Sequence, residues 1–400
     1  MQGDRKVRRK GIGMYSRFLR MIGCPMLCVC LLALQAAYGE RGLVVPPLRT
    51  EGSAIKDSRG AAVRLVSVSW YGFDQGEFVV GGLDHAPLKD LARQIRAMGF
   101  NSVRLPWANQ TVESNPVVPD YALSANPEFR GKHALEIMDA VINALAAEHL
   151  LVILDNHVSR ADWCCNDKDG NGIWYSHDYP EQQWIKDWKT LIRRYKSQPY
   201  VVGADLRNEP RSGAKWGGND PAVDWHAAAE RGGNAVLTEN PNLLVIVEGP
   251  NYSLNLEDFG QLPVRLPVAH RLVYSPHNYG WSQPTPQSYE EFKSYLDHKW
   301  GYLGSGDHSA PIWVGEFGVC QNPEDCRQFG SWLPFLLRYI AETGAGWSYW
   351  PLNGTQSSGE GRQYGKTETY GLLSTDYRHI AAPNLLKEME AAGLRSAPAK

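Results

Sequence analysis

The sequence predicts an α/β fold closed into a (β/α)8, or TIM, barrel, on three observations. Short apolar runs recur eight times: Val63 to Trp70, Asn101 to Trp107, Leu150 to His157, Val201 to Glu209, Leu243 to Asn251, Leu272 to Tyr279, Ile312 to Gly318 and Gly346 to Leu352. Amphipathic stretches of helical period separate them, which implies parallel strands buried on both faces and explains why the runs do not alternate in polarity. Polar and aromatic residues cap most of the runs, as a barrel requires, because every strand then ends on the same rim. An open doubly wound sheet is the alternative, but no Gly-x-Gly-x-x-Gly follows the first run.

The helices follow in order. Pro87 to Met98 has Pro at a first-turn position and stops at Gly99, and His133 to His149 repeats Leu135, Met138, Val141, Ile142 and Leu145 on one face. Glu181 to Tyr195 gathers Trp184, Ile185, Trp188, Leu191 and Ile192, with basic residues near its C-terminus where they complement the helix dipole. Asp224 to Leu237, Tyr289 to Trp300, Asp325 to Glu342 and Pro383 to Ala392 supply the rest. Between the fifth and sixth runs no helix is well defined.

Residues 1–39 read as a targeting segment: Lys6, Arg8, Arg9, Lys10, Arg17 and Arg20 precede an apolar stretch from Met21 to Tyr38, and Ala37-Tyr38-Gly39 offers small residues at a cleavage spacing. Its uninterrupted core, Met26 to Leu34, is short for a membrane span, so a secreted protein beginning near Glu40 is expected, with an anchor at 21–38 as the alternative. Residues 40–400 are then expected to form one barrel domain. Cys164, Cys165, Cys320 and Cys326 would lie in an oxidising compartment, where disulfides are the default. Four cysteines allow three pairings: Cys320 with Cys326 is preferred, and in the alternatives the adjacent Cys164 and Cys165 split, each pairing elsewhere.

A net charge of −2, with no basic stripe beyond the N-terminus, excludes a nucleic-acid footprint and points to a neutral substrate. Fourteen Trp and nineteen Tyr suit the faces of sugar rings as well as cores. No cofactor, metal or partner protein is implied, and a monomer is expected.

The rim collects Trp70, Arg104, Trp107, His157, Asn208, Glu209, His277, Tyr279, Glu316 and Trp350. Two of these are glutamates that end apolar strands, Glu209 in Asn-Glu-Pro and Glu316 in Gly-Glu-Phe-Gly. Breaking a glycosidic bond needs a proton for the leaving oxygen and negative charge at the anomeric carbon, which two carboxyls in different environments can supply. Glu209 is assigned as acid/base, its pKa expected to be raised by the neighbouring carboxylate and by burial; Glu316 is assigned as nucleophile, kept ionised by Arg104 and Tyr279.

Arg104 in Val-Arg-Leu-Pro-Trp, His157 in Leu-Asp-Asn-His, the triplet Asn208-Glu209-Pro210, His277-Asn278-Tyr279, Glu316 in Gly-Glu-Phe-Gly and Trp350 in Tyr-Trp together resemble glycoside hydrolase family 5, the cellulase-type group, in matching order from about Val63 to Tyr377. The resemblance implies a retaining double displacement. It also implies that Asn208 binds the sugar 2-hydroxyl, Arg104 and Tyr279 hold Glu316, His157 and His277 bind hydroxyls and support the acid, and Trp350 stacks under the sugar. The expected activity is cleavage of a β-linked glucan. A β-mannanase, a glycolipid-headgroup glycosidase and a carbohydrate-binding protein with weak catalysis are the alternatives. The segment from Trp163 to Gly172 resembles a loop of plant and bacterial members. Asp167, Asp169, Asn171, Gly172 and Asp178 fall near calcium-loop positions, but no helix ends at Asp167 and Asp178 replaces the usual Glu, so a solvated glycine-rich turn is expected there. Three sequons, at Asn109, Asn251 and Asn353, follow predicted strands and are expected to stay unmodified or to contact sugar.

Overall fold

The computed structural model describes residues 43–306 and 309–394, so the targeting segment read at 1–39 lies outside the described residues. A small antiparallel sheet comes first, β1 (Arg49–Glu51), β2 (Ala54–Lys56) and β3 (Ala62–Val63), turning at Gly52, whose φ of +55° favours a residue without a side chain. Eight parallel strands follow: β4 (Val66–Ser69), β5 (Ser102–Ala108), β6 (Leu151–Val158), β7 (Val201–Asp205), β8 (Leu244–Glu248), β9 (Leu272–Ser275), β10 (Trp313–Phe317) and β11 (Gly346–Tyr349). Pairing runs in sequence order from β4 to β9, while β11 and then β10 add on the other edge of β4. Parallel bridges from Tyr274 to Ile312 and from His277 to Glu316 link β9 to β10 and bring the sheet round on itself.

Helices follow the strands: α1 (Leu88–Ala97), α2 (Asn109–Ser114), α3 (Ala134–Ala147), α4 (Glu181–Tyr195), α5 (Trp225–Glu239), α6 (Tyr289–Lys299), α7 (Trp332–Thr343) and, after β11, α8 (Pro383–Glu390). Among the described residues none joins β8 to β9, as the sequence implied. The structure departs from expectation in three places. The first apolar run is divided, Ala62–Val63 completing the small sheet and Val66–Ser69 entering the barrel. The helix expected over Asp325 to Glu342 is broken by Gly330 at φ +55°, leaving a 3-10 turn, Pro323–Phe329, before α7. The short helix α2 begins directly after β5, where the sequence shows only a sequon.

Alternation along each strand sorts side chains into two layers. On β5, Val103, Leu105 and Trp107 point out to the helices, while Arg104 shares the inward parity with Ser102. On β4, Val66, Val68 and Trp70 point out, whereas Ser67 and Ser69 bond inward partners Ser102 and Ser348. Trp70 and Trp107 are therefore helix-layer residues and not rim residues. Trp107 packs edge-on against Trp188 at 4.9 Å, and the Trp70 indole donates to the Gly81 carbonyl at 2.9 Å.

At the N-terminal end the barrel interior is filled by Leu151, Ile153, Val202, Leu244, Ile246, Val273 and Trp313, and the small sheet closes it from below with Leu48 and Ile55. Ten of the fourteen Trp side chains are under 2% exposed, so most of the tryptophan serves packing. Several indoles also fix strand ends. Trp184 and Trp188 of α4 both donate to the Leu206 carbonyl, at 3.3 and 3.2 Å, and Trp225 of α5 donates to the Glu248 carbonyl at 2.7 Å. Each such bond satisfies a carbonyl where the ladder stops and holds the rim residue just beyond it.

Candidate active site

The rim opens into a cavity of about 440 Å³ whose walls include Glu209, Glu316, His157, Asn208, Tyr279 and Trp350. A carboxylate oxygen of Glu209, a ring nitrogen of His277 and a carboxylate oxygen of Glu316 all lie within 4.8 Å of one another. His277 sits between the two acids: its Nδ1 is 2.9 Å from Glu209 Oε1 and 3.8 Å from Glu316 Oε2, and its Nε2 is 3.2 Å from Glu248 Oε1. Tyr279 donates its hydroxyl to Glu316 Oε2 at 2.9 Å, and Arg104 Nη1 bonds Glu316 Oε1. The sequence-predicted residues Arg104, His157, Asn208, Glu209, His277, Tyr279, Glu316 and Trp350 thus converge on one end of the barrel.

Beneath the pair lies a floor of charge that sequence reading passed over. Arg104, fully buried, bonds Asp205 at 2.9 Å, Glu248 at 3.0 Å, Asp155 at 3.1 Å and the Asn208 side-chain oxygen at 2.9 Å. Asp155 also accepts His157 Nδ1 at 2.7 Å. Asp155, Asp205 and Glu248 share the inward parity of Ile153, Gly203 and Ile246, two residues earlier on each strand, and that parity was the available signal. The three carboxylates cluster closely enough to suggest a cation site, but the Arg104 guanidinium fills that role.

Electrostatics follow from burial and from this wiring. Burial raises Glu316, more than His277 and Arg104 lower it, so in the unliganded cleft it is not held down by Arg104 and Tyr279 as the sequence reading expected. Burial pushes Glu209 up as well, yet the hydrogen bond and charge of His277 bring it below the usual carboxylate range, so in the unliganded cleft it is not raised as the sequence reading expected. Burial alone would lower His277, but Glu248, Glu316 and Glu209 lift it well above imidazole's usual value. Burial also raises Asp155 to about 7 and Asp205 to about 6, against Arg104.

These shifts set the sign of the pH dependence of stability. Asp155 and Asp205 keep protons in the native state that the unfolded chain releases near 3.8, so their contribution is complete below that value and lost as pH climbs to about 6 to 7. His277 contributes fully below about 6.5 and loses its share as pH rises through its elevated native value. Both effects run the same way. The melting temperature is expected to be lower at pH 8 than at pH 5 by about 2 °C or more, as thermal unfolding followed by circular dichroism would show; a rise over that interval would contradict the wiring.

Gly315 makes room for His277. A Cβ there would meet Ser275 Oγ at 2.3 Å and His277 Nε2 at 2.9 Å. Gly315→Ala is expected to displace His277 and cost about 1 to 3 kcal/mol, seen as a lower denaturant midpoint.

The walls are aromatic. Trp350 stacks in parallel with His157 at 5.2 Å and with Tyr71 at 5.4 Å; Tyr71 was missed although it follows Ser67 and Ser69 on the inward parity. Trp281, 54% exposed, stacks on Tyr279 at 5.2 Å. Cys320 and Cys326 are bonded, the preferred pairing. Cys164 and Cys165 bond to each other, not elsewhere, and line the cavity with their sulfurs 3.7 and 3.5 Å from the Asn208 amide nitrogen.

The loop after β6 is solvent-exposed at Asn166, Asp167, Lys168 and Gly170, the solvated turn expected, and is anchored at Asp169. The Asp169 side chain is buried and pairs with Arg211, Asp167 accepts the Tyr252 hydroxyl at 2.8 Å, and Asp178 stands 78% exposed beside His177. These acids diverge, so they do not compose a calcium loop. Asn109 and Asn353 are fully buried, the first donating to Asp187 at 2.7 Å and the second to the Tyr71 carbonyl at 3.2 Å, so both are structural; Asn251 is exposed.

Comparison with known proteins bears on the same span. The model of the family described as cellulase, glycosyl hydrolase family 5, matches residues 57–356. The chain belongs to this family. It is 35% identical to an endoglucanase of Paenibacillus polymyxa over 349 residues, covering 82% of each chain. It is 33% identical to the major extracellular endoglucanase of Xanthomonas campestris pv. campestris, over 82% of this chain and 67% of that one. The catalytic domain of the Xanthomonas enzyme superposes with a TM-score of 0.75 at 29% identity, covering 86% and 99% of the two chains. An endocellulase from Pyrococcus horikoshii, solved with cellotetraose, superposes with a TM-score of 0.74 at 28% identity, over 87% and 100%. As a family 5 member the chain is an O-glycosyl hydrolase of endoglucanase type, and its eight-stranded barrel is the one these relatives share.

Proposed function

We propose that the protein is a secreted, retaining endo-β-glucanase that cleaves cellulose-type β-glucan by double displacement. The observation that carries this reading is the approach of Glu209 and Glu316 within 4.8 Å, with His277 between them. Carboxyls about 5 Å apart fit attack by one on the anomeric carbon, whereas an inverting pair stands about 6.5 to 9.5 Å apart to admit a water.

Glu316 attacks the anomeric carbon, its charge oriented by Arg104 and the Tyr279 hydroxyl. Glu209 protonates the departing oxygen and then, as a base, takes a proton from the water that releases the sugar. His277 keeps Glu209 charged in the open cleft; a glucan covering it removes water and raises it toward the protonated form. Asn208, whose oxygen is fixed by Arg104, turns its amide nitrogen to the 2-hydroxyl of the sugar, and Trp350 stacks against the ring. Secretion is supported by the basic and apolar N-terminal segment and by the extracellular name of the Xanthomonas relative. The solved cellotetraose complex of the Pyrococcus relative supports a β-1,4-glucan.

The test is a panel of carboxymethyl cellulose, soluble β-glucan, mannan, xylan and glucosylceramide, with product anomers read by NMR within seconds of cleavage. Cellulose derivative and β-glucan are expected to be cut, with β-anomers formed first. Initial α-anomers would remove the double displacement, and preference for mannan or glucosylceramide would remove the substrate assignment.

A further inference from the structure

Glu209 holds a backbone conformation that its side chain disfavours. Its φ is +45°, in the left-handed region, where a residue other than glycine persists only if its surroundings impose it. Two contacts do so. The Glu209 amide donates to Glu248 Oε2 at 2.8 Å, and its carbonyl accepts from Arg211 Nη1 at 2.9 Å.

Arg211 spends its remaining donors on the loop after β6, which carries the Cys164–Cys165 bond. Nη2 pairs with Asp169 Oδ2, and Nε donates to the Asn166 carbonyl at 3.2 Å, while the Arg211 amide donates to the Gly172 carbonyl at 2.6 Å. Asp169 is held in turn: its Oδ1 accepts the Asn171 amide at 2.8 Å and its Oδ2 the Asn166 amide at 3.0 Å. The side chains of Arg211 and Asp169 are 1% and 2% exposed. An ion pair this deep needs its hydrogen-bonding groups matched to offset desolvation, and here the matched groups belong to the acid/base backbone and to one loop.

We propose that Arg211 and Asp169 are positioning residues for Glu209, clamping the loop after β6 to the carbonyl of the acid/base so that its carboxyl stays aimed at the leaving-group oxygen. This rests on the role of Glu209 proposed above. Neither residue is among those that line the cavity. Their effect passes through the Glu209 backbone, so it must fall on the step that needs a proton and spare a step that does not.

Leaving groups separate the two. Phenyl β-cellobioside needs protonation as it departs, whereas 2,4-dinitrophenyl β-cellobioside leaves without it, and kcat/KM reports only the first half of the reaction. Asp169→Asn and Arg211→Met are expected to lower kcat/KM at least tenfold for the phenyl substrate and less than about twofold for the dinitrophenyl one. Arg211→Lys, which retains the charge but not the three-way fork, should fall between wild type and Arg211→Met on the phenyl substrate.

Equal losses on both substrates, or no loss on either, would overturn the positioning role. Should Arg211→Met fail to fold, the near-isosteric Asp169→Asn decides. Glu209→Ala is measured alongside. If it lacks the leaving-group selectivity, the acid/base assignment fails. If it shows that selectivity and the Arg211 and Asp169 variants do not, only the clamp fails.

Discussion

Glu316→Gln is expected to stop β-glucan hydrolysis, lowering kcat on the order of 10⁴-fold or more, with the fold intact. Gln keeps the shape that Tyr279 and Arg104 grip, but it lacks the negative charge, and its amide oxygen is too weak a nucleophile to form the glycosyl bond. The fold survives because Arg104 still faces Asp155, Asp205 and Glu248. Binding of cellotetraose, followed by calorimetry, should persist. Glu316→Ala leaves a space above the ring, and azide added with an activated aryl cellobioside should fill it and yield the α-glycosyl azide. The same reagent with Glu209→Ala should yield the β-azide, since there the enzyme-bound sugar has already formed and azide replaces water. Unchanged turnover in the Gln variant would remove Glu316 as nucleophile, and a β-azide from Glu316→Ala would exchange the two roles.

Arg104→Lys should be among the most destabilising substitutions available. The guanidinium meets four carboxylates from β6, β7, β8 and β10 with a planar set of donors, and one ammonium cannot reach them all. Carboxylates left buried without a partner cost about 3 to 5 kcal/mol. A fall in melting temperature on the order of 5 °C or more is expected, with loss of activity even where the protein is recovered folded. A melting temperature within error of wild type would show that the floor does not depend on this residue.

Much of the fold was legible because parallel strands need continuous apolar runs and helices need a stripe, and both patterns are strong from Val63 to Tyr195. The two glutamates were legible because each ends such a run. Less visible was which side of a strand each residue takes. Trp70 and Trp107 were read as rim residues because of their chemistry, yet Val68 and Leu105, two positions earlier, point to the helices and carry them outward. The same rule would have recovered Tyr71, Asp155, Asp205 and Glu248. The small sheet at Arg49–Val63 escaped because strands of two or three residues carry too little pattern. Pairing of Cys164 with Cys165 is a matter of local backbone geometry that spacing does not encode. The depressed Glu209 depends on His277, 68 residues away in the chain, and only the closed barrel brings the two together.

The plug of Leu48 and Ile55 bears on how far the molecule can be shortened. The family match begins at residue 57 and ends at 356, which makes those limits an attractive minimal fragment for expression. Such a fragment would uncover Trp313, three positions before Glu316, along with Leu151 and Leu244. It would also lose Ala392, whose carbonyl accepts the Trp347 indole at 2.8 Å. A workable short form therefore starts before Leu48 and runs past Leu394, and the homology limits mark where sequences agree rather than where the molecule can be cut.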